Sequence, residues 1–273
     1  MKMTKIKLIG LSAIDLPIVG ALPSDNYILK SAEGLGPPEI DVLISDTINA
    51  GGYYQGRRPH NRELVFMVGI NPDYKIGQTA ADLRTTFYGL LTPGYSSSVL
   101  VEIIDGANTV ATITGYVKKL EINPFSKDPE VQNTIACLQP YFQDKNLLYI
   151  VPTVATDVRI TNLGTAPAGF HMELIFTANV TNWKIENAAG VLGPGQKMDF
   201  VYNFLIGDKL TIDTRPGFRG VWLTRGGLTT NIIYTLSSSS IWYMLHGGVN
   251  IFTASSLAFT WGDVYYLPQY WGI

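Results

Sequence analysis

The chain holds one cysteine, Cys137, and three histidines, His60, His171 and His246. A cysteine nucleophile needs a histidine base within hydrogen-bond reach. No histidine lies near Cys137 in sequence, and none stands in a catalytic signature. The run PEVQNTIACLQPYF (129–142) instead puts Cys137 on one face of an extended segment with Val131 and Ile135. There burial raises a thiol's pKa and leaves it inert, so Cys137 is read as core. One cysteine also makes no internal disulfide. The scattered histidines form no HxxxH or CxxC spacing, and GxSxG, the P-loop and GxGxxG are absent, so no catalytic residue, metal or cofactor is expected.

Glycoside hydrolysis requires two carboxyl groups facing each other across the substrate. The second half offers Asp157, Glu173, Glu186, Asp199, Asp208, Asp213 and Asp263. Asp208 and Asp213 are an odd number of residues apart, which sends them to opposite faces of a regular strand. The chain is read as a non-enzyme.

The aromatic and basic clusters are the remaining candidates. Trp222, Trp242, Trp261 and Trp271 gather near the C-terminus with Tyr243, Tyr265, Tyr266 and Tyr270. Such residues serve a sandwich core, a protein interface or a glycan site, and all three stay open here. A carbohydrate-binding β-sandwich module is accordingly the alternative function. Tyr53 and Tyr54 precede Arg57, Arg58 and Arg62 in a Gly- and Arg-rich loop, GGYYQGRRPHNREL. Arginine's planar fork pairs well across interfaces, so these five are read as a subunit or partner contact.

The elements that must position these residues are mostly strands. ELVFMVGI (63–70) alternates with a period of two, and SSVLVEII and TVATITGYVKKLEI flank a short turn at Asp105-Gly106-Ala107-Asn108. Lys118 and Lys119 fall where the second of these strands becomes exposed. One helix is predicted over 79–91, with Thr79 as N-cap, Asp82 completing a weak capping box, and Leu83, Phe87 and Leu90 or Leu91 on one face. TPG at 92–94 stops it. In the second half, strands are predicted at 156–162, 169–179, 197–205 and 208–213, separated by turn-rich runs such as ENAAGVLGPGQ, and a hairpin turns at Arg225-Gly226-Gly227. The Ser237–Ser240 run is read as an exposed loop. Short strands at this spacing argue for a β-sandwich.

The hydrophobic fraction of 46% supplies real cores, while charged residues make up only 15%, leaving much surface to be covered by partners. Residues 1–145 carry 13 Lys and Arg against 15 Asp and Glu, and residues 146–273 carry 7 of each, which lacks the basic excess of a nucleic-acid binder. The first residues imitate a signal peptide until Asp15 and Pro17 interrupt, and no run reaches membrane-spanning length. Length and a change of charge density place a domain boundary within 143–152, giving domains 1–145 and 146–273.

INPFSKDPEVQNTIACLQPYF resembles the segment that closes the N-terminal ring domain of the distal tail proteins of long-tailed, siphovirus-type bacteriophages. Cys137, Pro140, Tyr141 and Phe142 carry that likeness. IGDKLTIDTRPGFRGVWLT, SSSSIWYMLHGGVNIFTASS and VYYLPQYWGI are similar to the family's C-terminal sandwich, through Gly207, Asp208, Asp213, Trp242 and Asn250. The resemblance implies a mainly β chain, with a tail-tube-like N-terminal β domain bearing one helix and a galectin-like C-terminal sandwich. It further implies a structural virion protein at the tail tip, made in the host cytoplasm. Six copies would form a ring continuing the tail tube, with a polar lumen passing the genome. Partners would be the tail tube protein, the tail hub or tip protein and receptor-binding proteins, without sequence-specific nucleic-acid binding or membrane insertion.

Overall fold

The computed structural model describes residues 3–18, 25–46, 52–92, 98–122, 129–150, 157–187 and 196–273, with the backbone alone at 45, 46, 52–55 and 157. The chain divides into two compact units, Met1–Lys145 with Trp271–Ile273, and Asn146–Tyr270. The last three residues thus count with the first unit. There the Ile273 N–H donates to the Leu35 carbonyl at 3.0 Å.

The first unit contains β1 (Lys5–Ile9), β2 (Ala13–Pro17), β3 (Tyr27–Glu33), β4 (Ile40–Asp46), β5 (Gly52–Pro59), β6 (Arg62–Ile70), β7 (Val99–Asp105), β8 (Asn108–Ile122), β9 (Glu130–Cys137) and β10 (Phe142–Gln143). Strand order is β2-β1-β7-β8-β9-β6-β3, all antiparallel, and β2 returns beside β3. Alternation explains the inner face: Ile6 and Leu8, Leu64, Phe66 and Val68, and Val99, Val101 and Ile103 are all buried. The long strand β8 pairs with β7 through residues up to Gly115 and with β9 from Tyr116 onward, so Gly115 marks the changeover. Lys118 and Lys119 are exposed, as the pattern predicts.

The helix α1 (Ala80–Leu90) begins at the capping box of Thr79 and Asp82. Its buried face is Leu83, Phe87 and the following Leu91. Tyr27 of β3 fixes it, donating its hydroxyl to the Leu83 carbonyl at 2.8 Å and packing its ring 5.4 Å from Phe87. The stop expected at 92–94 lies partly outside the described residues, as does the run 188–195 within ENAAGVLGPGQ.

One expectation is corrected here. GGYYQGRRPHNREL is not a loop, because Gly52–Pro59 forms β5 and pairs along its length with β4 as a separate two-stranded sheet. The β-branched run of β4 supplies a partner that the glycine-rich composition of β5 concealed.

The second unit contains β11 (Leu148–Ile150), β12 (Asp157–Asn162), β13 (Phe170–Phe176), β14 (Val180–Thr181), β15 (Lys184–Asn187), β16 (Gln196–Asp199), β17 (Asn203–Phe204), β18 (Lys209–Asp213), β19 (Gly220–Arg225), β20 (Leu228–Asn231), β21 (Gly248–Ala254), β22 (Phe259–Tyr266) and β23 (Gln269–Tyr270). One sheet runs β11-β22-β13-β18-β19-β20 and a second runs β12-β21-β15-β16. Their inner faces share one apolar core, in which Phe170, Met172 and Leu174 of the first sheet meet Ile185, Met198 and Phe252 of the second. This is a β-sandwich. The strand expected over 197–205 is two, β16 and β17. Phe200 leaves β16 for a lone bridge with Leu236, and Asn203–Phe204 pairs with β14. The reason is packing, since Phe200 and Phe204 both turn into the core with rings 6.0 Å apart while Val201 between them is exposed.

Candidate functional site

The CLQPYF motif converges on Arg62. Placed at the start of β6 opposite Cys137, Arg62 is buried rather than at the surface. Its Nε donates to the Pro140 carbonyl at 2.8 Å, Nη1 donates to the carbonyls of Gly34 and Gly36, and Nη2 donates to that of Trp271. The guanidinium also stands 4.5 Å from the centroid of the Phe142 ring, and Tyr141 packs edge-on against Trp271 at 4.9 Å. Arg62 was expected at an interface. The structure corrects this, because four of the five N–H groups of the fork are taken by carbonyls of its own unit, which satisfy most of a buried cation's donors without a carboxylate.

Cys137 is fully buried, and burial pushes its thiol up to about 11 although the Arg62 charge opposes the shift. Its neighbour across the sheet is Gly115, where an added Cβ would come within 2.8 Å of Cys137 Sγ and of the Ala136 carbonyl. The thiol fills the space that the glycine leaves.

The other residues expected at an interface lie on the β4–β5 hairpin. Arg57 and Arg58 are exposed and pair in register with Val42 and Asp41. The backbones of Tyr53 and Tyr54 pair with Ser45 and Ile44, and their side chains lie outside the described residues. Val42, Leu43 and Ile44 are all exposed on this two-stranded sheet. At its base His60 Nε2 meets Asp41 Oδ1 at 2.7 Å, and that hydrogen bond raises the imidazole pKa.

In the sandwich the motif residues organise turns. Gly207 takes the left-handed conformation, φ 85°, and donates to the Phe176 carbonyl. Asp208 accepts from the Leu205 N–H at 2.8 Å and from Arg225 Nε and Nη2 at 2.8 and 2.6 Å. Burial alone would raise this carboxyl, but the Arg225 and backbone hydrogen bonds hold it below its ordinary value. Asn250 Oδ1 accepts from the His246 N–H, while Nδ2 donates to the carbonyls of His246 and Gly248. Trp242 and Trp261 pack against the core, and Trp222 is the half-buried tryptophan of the outer face.

Asp208 and Asp213 are separated, each committed to its own arginine. Asp213 accepts from Arg215 through both carboxylate oxygens and faces His171 Nδ1 at 3.3 Å. Burial would raise its carboxyl, yet the bonds from His171 and Arg215 hold it down at about 2. Arg215 also lies 5.0 Å from the rings of both Phe218 and Tyr265, and Tyr265 stacks on His171 at 4.5 Å. This cross-strand stack escaped sequence reading because β13, β18 and β22 meet only in the sheet. Among the described residues, no group of three His, Cys, Asp or Glu side chains is placed to hold a metal.

Among the described residues the two β units assemble no metal-holding cluster, and comparison with known proteins says what the chain is similar to. Residues 163–270 match the family model of the siphovirus-type tail component, C-terminal domain. Over 97% of this chain and 98% of the other, the fold is similar to that of the SPP1 Dit protein, described as a paradigm of the hub adsorption apparatus in phages infecting Gram-positive bacteria, with TM-score 0.63 and 16% identity. A chain of the phage P2 baseplate in its activated, calcium-bound conformation aligns over 96% and 97% of the two chains with TM-score 0.42 and 8% identity. No curated protein sequence matches. Residues 163–270 thus match the C-terminal domain of a siphovirus-type tail component, and the chain has a fold similar to that of a phage hub protein.

Proposed function

We propose that this chain, made in the host cytoplasm, forms a hexameric ring that joins the tail tube to the baseplate or tip and scaffolds the host-adsorption proteins. The observation that carries the reading is a sandwich matching the tail-component family, joined to a β unit in a chain whose whole fold follows a phage hub protein. Residues 1–145 would build the ring and residues 146–273 the outward platform. The β4–β5 hairpin supports a ring contact, because it exposes Val42, Leu43 and Ile44 beside Arg57 and Arg58 and belongs to no larger sheet. Head-to-tail contacts of this kind close into rings. Tail tube, tail hub and receptor-binding proteins are the partners on this reading.

Light scattering with negative-stain imaging of the same fraction tests the ring. A mass near six times 30.0 kDa with annular particles supports it. A chain that stays monomeric at high concentration and is absent from purified tails overturns it.

A further inference from the structure

We infer that the cleft beside β14 and β17 binds a neutral saccharide. This goes beyond ring assembly and gives the chain a ligand site of its own. Asn182, Val201, Tyr202, Asn203 and Arg225 line a cleft of about 390 Å³, within the range of small-molecule sites. Two short strands build it: Thr181 of β14 pairs with Asn203 of β17, and the Asn182 N–H donates to the Tyr202 carbonyl at 3.0 Å. Asn182 has φ 55°, and among the described residues no other non-glycine residue takes a positive φ. Backbone held in a sparsely populated region gathers at ligand sites. Here the turn keeps Asn182 exposed at the cleft while the next residue, Trp183, is fully buried.

The lining specifies the ligand. Arg225 alone is charged among the described lining residues, and the buried Asp208 takes its Nε and Nη2 at 2.8 and 2.6 Å. Nη2 also donates to the Asn203 carbonyl at 3.0 Å, so the fork is fixed in place and Nη1 is left as a donor. Its charge is already matched, and an anionic ligand would meet no surplus cation. Among the described residues no hydrogen bond holds the side-chain amides of Asn182 and Asn203, and each offers a donor and an acceptor. A sugar hydroxyl likewise donates and accepts, so two amides and a planar fork suit neighbouring hydroxyls. The Tyr202 ring supplies apolar surface for the C–H face of a pyranose. It packs 5.2 Å from the ring of the buried Phe204 and 5.7 Å from the Arg225 guanidinium, and it stays half-buried, so it is held without being covered.

The full chain, applied to an array of immobilised short glucans, galactans and N-acetylhexosamine oligomers beside sialylated and phosphorylated oligosaccharides, tests this. Retention on neutral oligosaccharides and not on the anionic ones is expected, and titration calorimetry with the strongest neutral binder gives the reference affinity. Asn182→Gly keeps the positive φ while removing the amide, so it should weaken binding about tenfold at an unchanged melting temperature. Tyr202→Ala should abolish binding, and Tyr202→Phe should retain most of it because the ring remains. Trp222→Ala, on the outer face of β19, should leave binding unchanged. A chain that retains no neutral oligosaccharide overturns the inference, as does retention of anionic oligosaccharides alone. Binding that is indifferent to both Asn182→Gly and Asn203→Ala, or that is lost with Trp222→Ala, places the saccharide elsewhere and overturns it as well.

Discussion

Arg62 donates to the main-chain carbonyl of Trp271, 209 positions later in the sequence, and so fastens the last residues of the chain to the first unit. The same guanidinium holds the Pro140 carbonyl and the two glycine carbonyls of the 34–36 turn. Arg62→Ala leaves these acceptors buried without a donor and opens a cavity over Phe142. A loss of about 3 kcal/mol is expected, read as a lower urea midpoint. Arg62→Lys should recover little, because an ammonium cannot span four carbonyls in a plane. Wild-type stability in Arg62→Ala would show the cage to be incidental.

Gly115 and Cys137 are complementary in volume. Gly115→Ala drives a methyl group against Cys137 Sγ, Ile135 and the Ala136 carbonyl and should cost about 1–3 kcal/mol. Adding Cys137→Ala should return part of that and not all, since the Ala136 carbonyl cannot withdraw. Full additivity in a double-mutant cycle would show that the two sites do not touch.

The Cys137 thiol, raised by burial and fully enclosed, should resist an aromatic disulfide reagent in the native chain at pH 8 and react once per chain in denaturant. Rapid native reaction would contradict the buried placement.

Asp213 titrates at about 2 in the folded chain against 3.8 for the free side chain. A depressed carboxyl stabilises the fold fully above the unfolded value, and that contribution fades as the pH falls from about 4 towards 2. It amounts to about 2 kcal/mol. Asp213→Asn should therefore be less stable than wild type at pH 6, with the gap closing by pH 2. A gap that does not change with pH would remove the ion-pair account.

The local features were legible in the sequence because they rest on periodicity and short-range chemistry. Alternation in ELVFMVGI marks β6, Thr79 with Asp82 marks the start of α1, and the paired glycines at 226 and 227 mark a hairpin. Cys137 could be assigned to a core from its neighbours on one strand face. The β4–β5 hairpin was less legible, since a glycine- and arginine-rich strand has weak intrinsic preference and is defined by its partner.

What the sequence by itself determined is the strands with clear alternation, such as β6, β7, β8 and β9, the one helix α1 and the absence of a recognisable catalytic signature, all written in residues close along the chain. Tertiary structure alone decided which charges meet. Arg62 looked like its exposed neighbours Arg57 and Arg58, and only folding brought carbonyls from positions 34, 36, 140 and 271 around it. Asp208 met Arg225, and His171 met Asp213 and Tyr265, because sheet register joins residues whose separation along the chain carries no signal, whereas Arg215 reaches Asp213 and Phe218 within its own turn.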